Sequence, residues 1–225
     1  MDSAFDWHSF LLPFWLSLKV SLIASILTLI AGIWIASWMA ERHFSCKAVL
    51  ETIFMLPLVL PPTVVGFLLL TLLGRKSWIG RLMEWLFAQP VIFTWYAAVI
   101  AAIVISFPLV YQTVKVGIAS VSVEYKDAAR LDGANERQVL GRITLPLAGR
   151  SLLTAYTLGF ARALGEFGAT LMIAGNIPGR TQTIPTVIYT AVETNQMHLA
   201  WIWTFIVIMI SFILLSFTGT NKASG

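Results

Sequence analysis

Long stretches without a single charged side chain limit what this chain can fold into. Val20–Ala40, Thr52–Gly74, Trp85–Val114 and Leu199–Gly219 hold no Asp, Glu, Lys or Arg. The first extends upstream past Lys19 to about Leu11, and a further run, about Leu147 to Gly175, is interrupted by Arg162 and Glu166. A helix needs ~20 mostly apolar residues to cross the hydrocarbon of a bilayer. Only chains that satisfy their own backbone donors and acceptors are stable there, and for runs this long the solution is the helix. Charged residues make up 12% of the chain, about half the ~25% usual for soluble proteins. The expected fold is all-α: a polytopic transmembrane helical bundle of five spans, with a sixth if Thr183–Val192 enters the membrane. One transmembrane domain over residues 1–225 is expected, with its longest polar loop at about 115–146.

Lys and Arg in the loops set the orientation, because they are held on the cytoplasmic side. With the N-terminus outside, the inside loops hold Arg42, Lys47, Lys115, Lys126, Arg130, Arg137, Arg142 and Arg150, and the inside tail holds Lys222. The outside loops hold Arg75, Lys76, Arg81 and Arg180, of which the adjacent Arg75 and Lys76 fit the rule least well. The acidic N-terminus, with Asp2 and Asp6, agrees with this placement and lacks the basic start of a cleaved signal peptide, so the first run is expected to be retained.

Several function classes fall away. The net charge of +4 is spread over short loops and not gathered into the stripe that nucleic-acid binding requires. Cys46 is the only cysteine, which excludes an intrachain disulfide, and it reads as an unreactive residue of an inside loop. There is no G-x-x-x-x-G-K-[ST] loop for ATP, no G-x-S-x-G elbow and no H-E-x-x-H metal helix. His8, His43 and His198 are far apart and read as loop residues, so no metal site is expected. The chain reads as one without catalytic residues of its own.

The inside loop from Lys115 to Pro146 reads as two short helices. Ser122 fits an N-cap, with Glu124 and Asp127 in the first turns, where the helix dipole favours anions. Gly133 fits the stop, and Asn135 followed by Gln138 resembles a capping box for the second helix, which Pro146 is expected to break. Two membrane segments are also unusual. Leu56–Pro62 places three prolines in the second run, where each removes a backbone donor and kinks the helix. Freed carbonyls need protein or water around them, so the segment lines a polar pathway or is a bent packing helix. In the fourth run Arg162 and Glu166 are spaced to pair on one helix face. Ionisable groups at membrane depth cost ~2.5–3.5 kcal/mol and face a bundle interior or an aqueous cavity. They lock helix packing or serve the passage of an anion. Gly159 with Ala163, and Gly165 with Ala169, form small-xxx-small pairs that permit close helix contact.

The inside loop reads Asp127-Ala128-Ala129, three residues, Gly133, nine residues, Ile143-Thr144-Leu145-Pro146. This resembles the signature loop of permease subunits of bacterial ATP-binding-cassette importers, Glu-Ala-Ala, three residues, Gly, nine residues, Ile-x-Leu-Pro. Every spacing agrees, and Asp127 keeps the charge where Glu is usual. The proline-rich segment and Phe160–Thr170 resemble the sulfate and molybdate permeases of that family, and Asn176–Pro185 is similar to the molybdate type.

The resemblance implies a type I importer permease in the bacterial inner membrane, with the N-terminus periplasmic. It implies a homodimer around one pathway, surrounded by lipid, with two ATPase subunits on the cytoplasmic loops and a periplasmic oxyanion-binding protein outside. ATP and Mg would sit on the ATPases, and no cofactor is expected in this chain. Coupling to the ATPases would fall to Asp127, Ala128, Ala129, Gly133, Ile143, Leu145 and Pro146. The translocation pathway would include Pro61, Pro62, Thr63, Ser106, Arg162, Glu166 and Thr170. An oxyanion needs donors and positive potential, but not so tight a site that it cannot leave. Molybdate is the expected cargo, and tungstate is nearly the same size. The alternatives are a sulfate or thiosulfate permease and, in another class, a passive channel or membrane enzyme without an ATPase partner.

Overall fold

The first apolar run becomes helix α1, Trp7–Ala40, in the computed structural model, which describes residues 7–40 and 45–219. Asp2, Asp6, Arg42, His43 and Lys222 lie outside the described residues. With 34 residues, α1 is ~51 Å long at ~1.5 Å per residue, well beyond the ~30 Å of bilayer hydrocarbon. The second run divides into α2, Lys47–Val59, and α3, Pro62–Leu73. Then come α4, Trp78–Phe87, and α5, Trp95–Ala119. The polar loop forms α6, Val123–Leu131, and a continuous helical path of α7, Glu136–Val139, a π-turn at Leu140–Thr144, and α8, Leu145–Leu147. The chain finishes with α9, Gly149–Leu164, α10, Gly168–Ala174, α11, Ile184–Glu193, and α12, Met197–Gly219.

Helix α5 is the axis of the bundle. Ala97, Ala98, Ala101 and Ala102 are fully buried along it. It lies between α1 and α9, and both approach at one residue. A Cβ on Gly159 would stand 2.6 Å from Val110 Cγ2, and one on Gly32 would stand 3.3 Å from Val110 Cγ1. In lipid, helix association rests on such close packing and on interhelical polar contacts. Thr28 Oγ1 and Ser106 Oγ lie 3.3 Å apart between α1 and α5, and the Ile184 amide of α11 donates to Ser17 Oγ of α1 at 2.8 Å. Helix α12 is peripheral and turns Trp201, Phe205, Ile208 and Phe212 outward. An apolar exterior of this extent is stable in hydrocarbon and not in water.

Three helices, within Phe10–Ala40, Trp95–Ala119 and Met197–Leu214, are long and apolar enough to cross a membrane, and α2 with α3 makes a fourth if the bent pair is one span. The remaining run, 147–175, is not one helix but is split between α9 and α10. The Thr183–Val192 region forms α11, whose 10 residues reach ~15 Å, too short to cross. The third span occupies only part of its run: α5 begins at Trp95 and continues past Val114 to Ala119, and Trp85 belongs to the separate helix α4. Left-handed Ala88 and Phe93, with Pro90 between them, turn the chain there, and uncharged composition alone does not register the turn. His198 lies in the first turn of α12, and His8 in α1, not in loops.

The basic residues separate by end. Lys47 Nζ donates to Met39 O at 2.6 Å, Lys115 Nζ meets Glu51 Oε1 at 2.7 Å, and Lys126 Nζ donates to Ile118 O at 3.2 Å. All belong to the end that carries the polar loop. Arg75 and Arg180 lie at the other end, in one cavity with Trp95.

Candidate functional site: a coupling loop and two broken helices

The polar loop is held by its own caps. Ser122 Oγ accepts the Glu124 amide at 3.3 Å, which opens α6. Gly133 has φ +86°, a value that costs other residues strain. The Ala134 amide returns to Ala129 O and the Gly133 amide to Arg130 O, both at 3.0 Å, the paired bonds of a Schellman stop. Asn135 and Gln138 form a complete capping box: Asn135 Oδ1 accepts the Gln138 amide at 3.0 Å and Gln138 Oε1 accepts the Asn135 amide at 2.8 Å. Pro146 does not break the second helix. It sits in the first turn of α8, where its missing N–H is harmless, and the wide π-turn before it makes room for the ring.

Arg130 was not singled out by the sequence pattern, yet it fastens the loop. Its Nη1 donates to Asp127 Oδ1 at 2.7 Å, and its Nε and Nη2 donate to the two oxygens of Glu136 at 2.8 and 2.9 Å. These hydrogen bonds hold the Glu136 carboxyl below the usual carboxylate range and raise the Arg130 guanidinium further. The signal that could have shown it is the three-residue step from Asp127 to Arg130. Ala128 is exposed and Ala129 half-buried, and a cavity of about 330 Å³ opens along Ala129, Gly133, Gln138 and Ile143. Leu145 is half-buried and Pro146 exposed. Leu131, 89% exposed, and Tyr125, 61% exposed, present apolar surface at the same end.

The second site lies where two broken helices meet. Helices α2 and α3 are bent by 115°. Leu60 and Pro61 are extended, with ψ 140° and 136°, and Pro62 starts α3. The three prolines therefore do not share one helix: Pro57 lies inside α2, whereas Pro61 and Pro62 separate α2 from α3 and start the second. The Val64 and Val65 amides donate to Pro61 O at 2.9 and 3.2 Å. The α9–α10 break is built differently. Glu166 Oε1 accepts the Ala169 amide at 2.9 Å and caps α10, while its Oε2 accepts from Arg162 Nη1 at 2.8 Å. The pair thus spans the break, and Gly165 and Ala169 lie across it and not on one helix face. The Glu166 side chain is 2% exposed and that of Arg162 33%.

The two breaks touch. A Cβ on Gly168 would stand 3.1 Å from Pro62 Cβ and 3.3 Å from the Thr63 amide nitrogen, and one on Gly66 would stand 2.8 Å from Ala169 Cα. Pro61, Pro62 and Thr63 are exposed, Arg162 is half-buried, and Glu166 and Thr170 are buried. Ser106 is not brought to this junction. It is buried between α1 and α5, where its Oγ donates to Ala102 O at 2.6 Å and faces Thr28.

Residues 21–222 match the family described as the inner membrane component of binding-protein-dependent transport systems. The chain belongs to that family. It is 50% identical over 222 residues, 99% of its length and 98% of the relative's, to YvgM of Bacillus subtilis, a protein assigned to molybdenum transport as a permease. It is 44% identical to the molybdenum transport system permease ModB of Escherichia coli, over 84% of this chain and 81% of that one. A sulfate transport system permease, CysW of Synechococcus elongatus, is 34% identical over 83% of this chain and 65% of that one. Among solved structures, the inward-facing MetNI methionine ABC transporter superposes with a TM-score of 0.70 at 12% identity, covering 93% of this chain and 92% of that one. A bacterial alginate ABC transporter, in complex with its pentasaccharide-bound periplasmic protein, gives 0.71 at 18% identity over 94% and 78%. This inner membrane component is accordingly a type I importer permease in fold. As a family member it is a translocation subunit and not an enzyme, and ATP hydrolysis falls to a separate subunit.

Proposed function

We propose that this chain is the permease subunit of an ATP-driven molybdate importer, with tungstate as a second cargo of the same shape and charge. The observation that carries the reading is the 50% identity over 99% of the chain to YvgM, against 34% to a sulfate permease. The permease works as a homodimer with two ATPases, which carry ATP and Mg, and receives its cargo from a periplasmic binding protein. Its N-terminus is periplasmic and residues 1–225 act as one transmembrane domain. The outward-facing Leu131 and Tyr125 and the cavity beside Gly133 support docking of an ATPase on the loop. In this reading Asp127, Ala128, Ala129, Gly133, Ile143, Leu145 and Pro146 transmit its closure. Pro61, Pro62, Thr63, Arg162, Glu166 and Thr170 form the moving wall of the pathway, and Ser106 braces α5 behind it.

Uptake of labelled molybdate tests this, in cells lacking their own system and given this chain with its ATPase and binding protein under excess sulfate. ATP-dependent uptake that resists sulfate is the expected result. Uptake of sulfate in place of molybdate would move the cargo to sulfate or thiosulfate, and flux without ATP would make the chain a passive channel.

A further inference from the structure

At the end of the bundle opposite the coupling loop lies a cavity of about 570 Å³, lined among others by Arg75, Gln89, Trp95, Tyr96, Arg180 and Thr181. Its place does not depend on the assumed orientation. Helix α5 begins at this cavity with Trp95 and ends at Ala119, just before the loop, ~37 Å away at ~1.5 Å per residue.

The cavity is cationic beyond local need. Among the described residues the ion-pair partner of Arg75 is Glu84, at 3.3 Å, with the Arg75 side chain exposed and that of Glu84 half-buried. Among the described residues no carboxylate lies within ion-pair distance of Arg180. Its backbone is nevertheless fixed: the amides of Arg180, Thr181 and Gln182 all donate to Ile177 O, at 3.0, 3.0 and 3.2 Å, and Gly179 takes φ +75°. Lys19 Nζ stands 3.7 Å from the ring centroid of Trp95 and itself lines a separate, smaller cavity. In the proposed orientation the cavity lies on the outer side, where basic residues are disfavoured, so two arginines on one cavity call for an anionic occupant.

We propose that this cavity is a first-contact site for a tetrahedral oxyanion, with Arg180 as its principal ligand and Arg75 as its neighbour. The inference rests on the oxyanion-import reading above. A guanidinium offers five N–H donors in a fork that fits adjacent oxygens. The volume leaves room for the ion and on the order of ten waters at ~30 Å³ each, so the ion is held hydrated and loosely. Release leads toward the broken helices. The C-terminal half of α10 reaches the cavity, where the Phe93 amide donates to Ile173 O at 2.8 Å, and its N-terminus is capped by Glu166. The next cation, Arg162, is therefore one short helix of 7 residues away, ~10 Å.

The test uses the assembled importer in nanodiscs, with Cys46→Ser and Gln89→Cys so that one thiol reports from the cavity. Thiol reagents of equal size, one anionic and one cationic, are compared by labelling rate. A unit charge ~6 Å away in water changes the local concentration of a monovalent ion about threefold. The anionic reagent is expected to react faster. The rate ratio should fall about tenfold with Arg180→Gln, since one rate drops and the other rises, and it should hold with Arg180→Lys. Millimolar molybdate and sulfate should both slow labelling, and only while Arg180 is present. Equal rates for the two reagents, or a ratio indifferent to Arg180→Gln, in an importer that still takes up molybdate would overturn the site and leave the function standing. Arg180-dependent protection in an importer that carries only sulfate would uphold the site and change the cargo.

Discussion

The coupling loop and the broken-helix junction are built from the same parts in opposite surroundings. Each has an arginine bonded to acidic side chains, a capped short helix and an indispensable glycine. In the loop, Arg130, Asp127 and Glu136 are all about half exposed. In the junction, Glu166 is buried and its partner Arg162 half-buried. Exposed ion pairs contribute ~0–1 kcal/mol, whereas removing one partner of a buried pair costs ~3–5 kcal/mol. The loop's charges therefore shape a surface, and the junction's charges decide whether the local fold exists. The glycines divide likewise. Gly66 is needed because another backbone stands where its side chain would be, and Gly133 because of its own backbone angle with nothing around it.

Glu166→Ala should have the largest effect. It strands Arg162 and uncaps α10, and about 3 kcal/mol of stability should be lost in denaturant unfolding of the detergent-solubilised protein. Glu166→Gln retains an acceptor for Ala169 and should fall between. If both behave like wild type, the contrast with the loop collapses. Gly66→Ala comes next, at about 2 kcal/mol, because a Cβ 2.8 Å from Ala169 Cα must push α3 off α10. Gly133→Ala should cost about 1 kcal/mol of backbone strain, and Gly133→Asn less, since Asn tolerates positive φ. ATPase activity stimulated by the loaded binding protein should follow the same order, whereas a steric role for Gly133 would make Asn the worse substitution.

Acid should have the smallest effect. Glu136 is held below its ordinary pKa by Arg130, so the support it gives the loop is complete above the ordinary carboxylate value, ~4.3. That support is lost as pH falls through the lowered value. Amide protection in 123–139, measured against the intrinsic exchange rate at each pH, should fall in that window and not above it, and Glu136→Gln should remove that fall.

The loop was the more legible region because its determinants are local. Ser122, Gly133, Asn135 and Gln138 act on backbone atoms within a few positions of themselves, so spacing alone exposes them. Arg130 escaped because its second partner, Glu136, lies on the next helix and across a turn. The junction was legible only in its ingredients. The prolines announced a disturbance, but a 115° bend depends on α10 filling the angle, which one-dimensional spacing does not contain. The spacing of Arg162 and Glu166 shows a pair on one helix face but not that the other carboxylate oxygen accepts from the Ala169 amide, in the helix beyond the break. Ser106 shows the converse. A hydroxyl in an apolar run invites a role in a pathway, yet it satisfies its own helix at Ala102 O and meets Thr28. Helix α4 is legible in the N-cap Ser77 and the spacing of Trp78, Leu82 and Trp85, and Arg81 and Glu84 between them mask it as a polar loop.

Helix α1 makes the two ends of the molecule mechanically one. At ~51 Å it is a rod whose C-terminal end lies at the loop's end of the bundle, where Met39 O accepts from Lys47 Nζ, and whose N-terminal half carries Ser17 against α11 and Lys19 against Trp95. A rotation of such a rod by about 5° about its C-terminal end swings the other end by about 4 Å, close to a helix radius with its first side-chain atoms. If an ATPase docks on the loop as proposed, leverage of that size would turn a small displacement there into a change of aperture at the opposite end of the bundle.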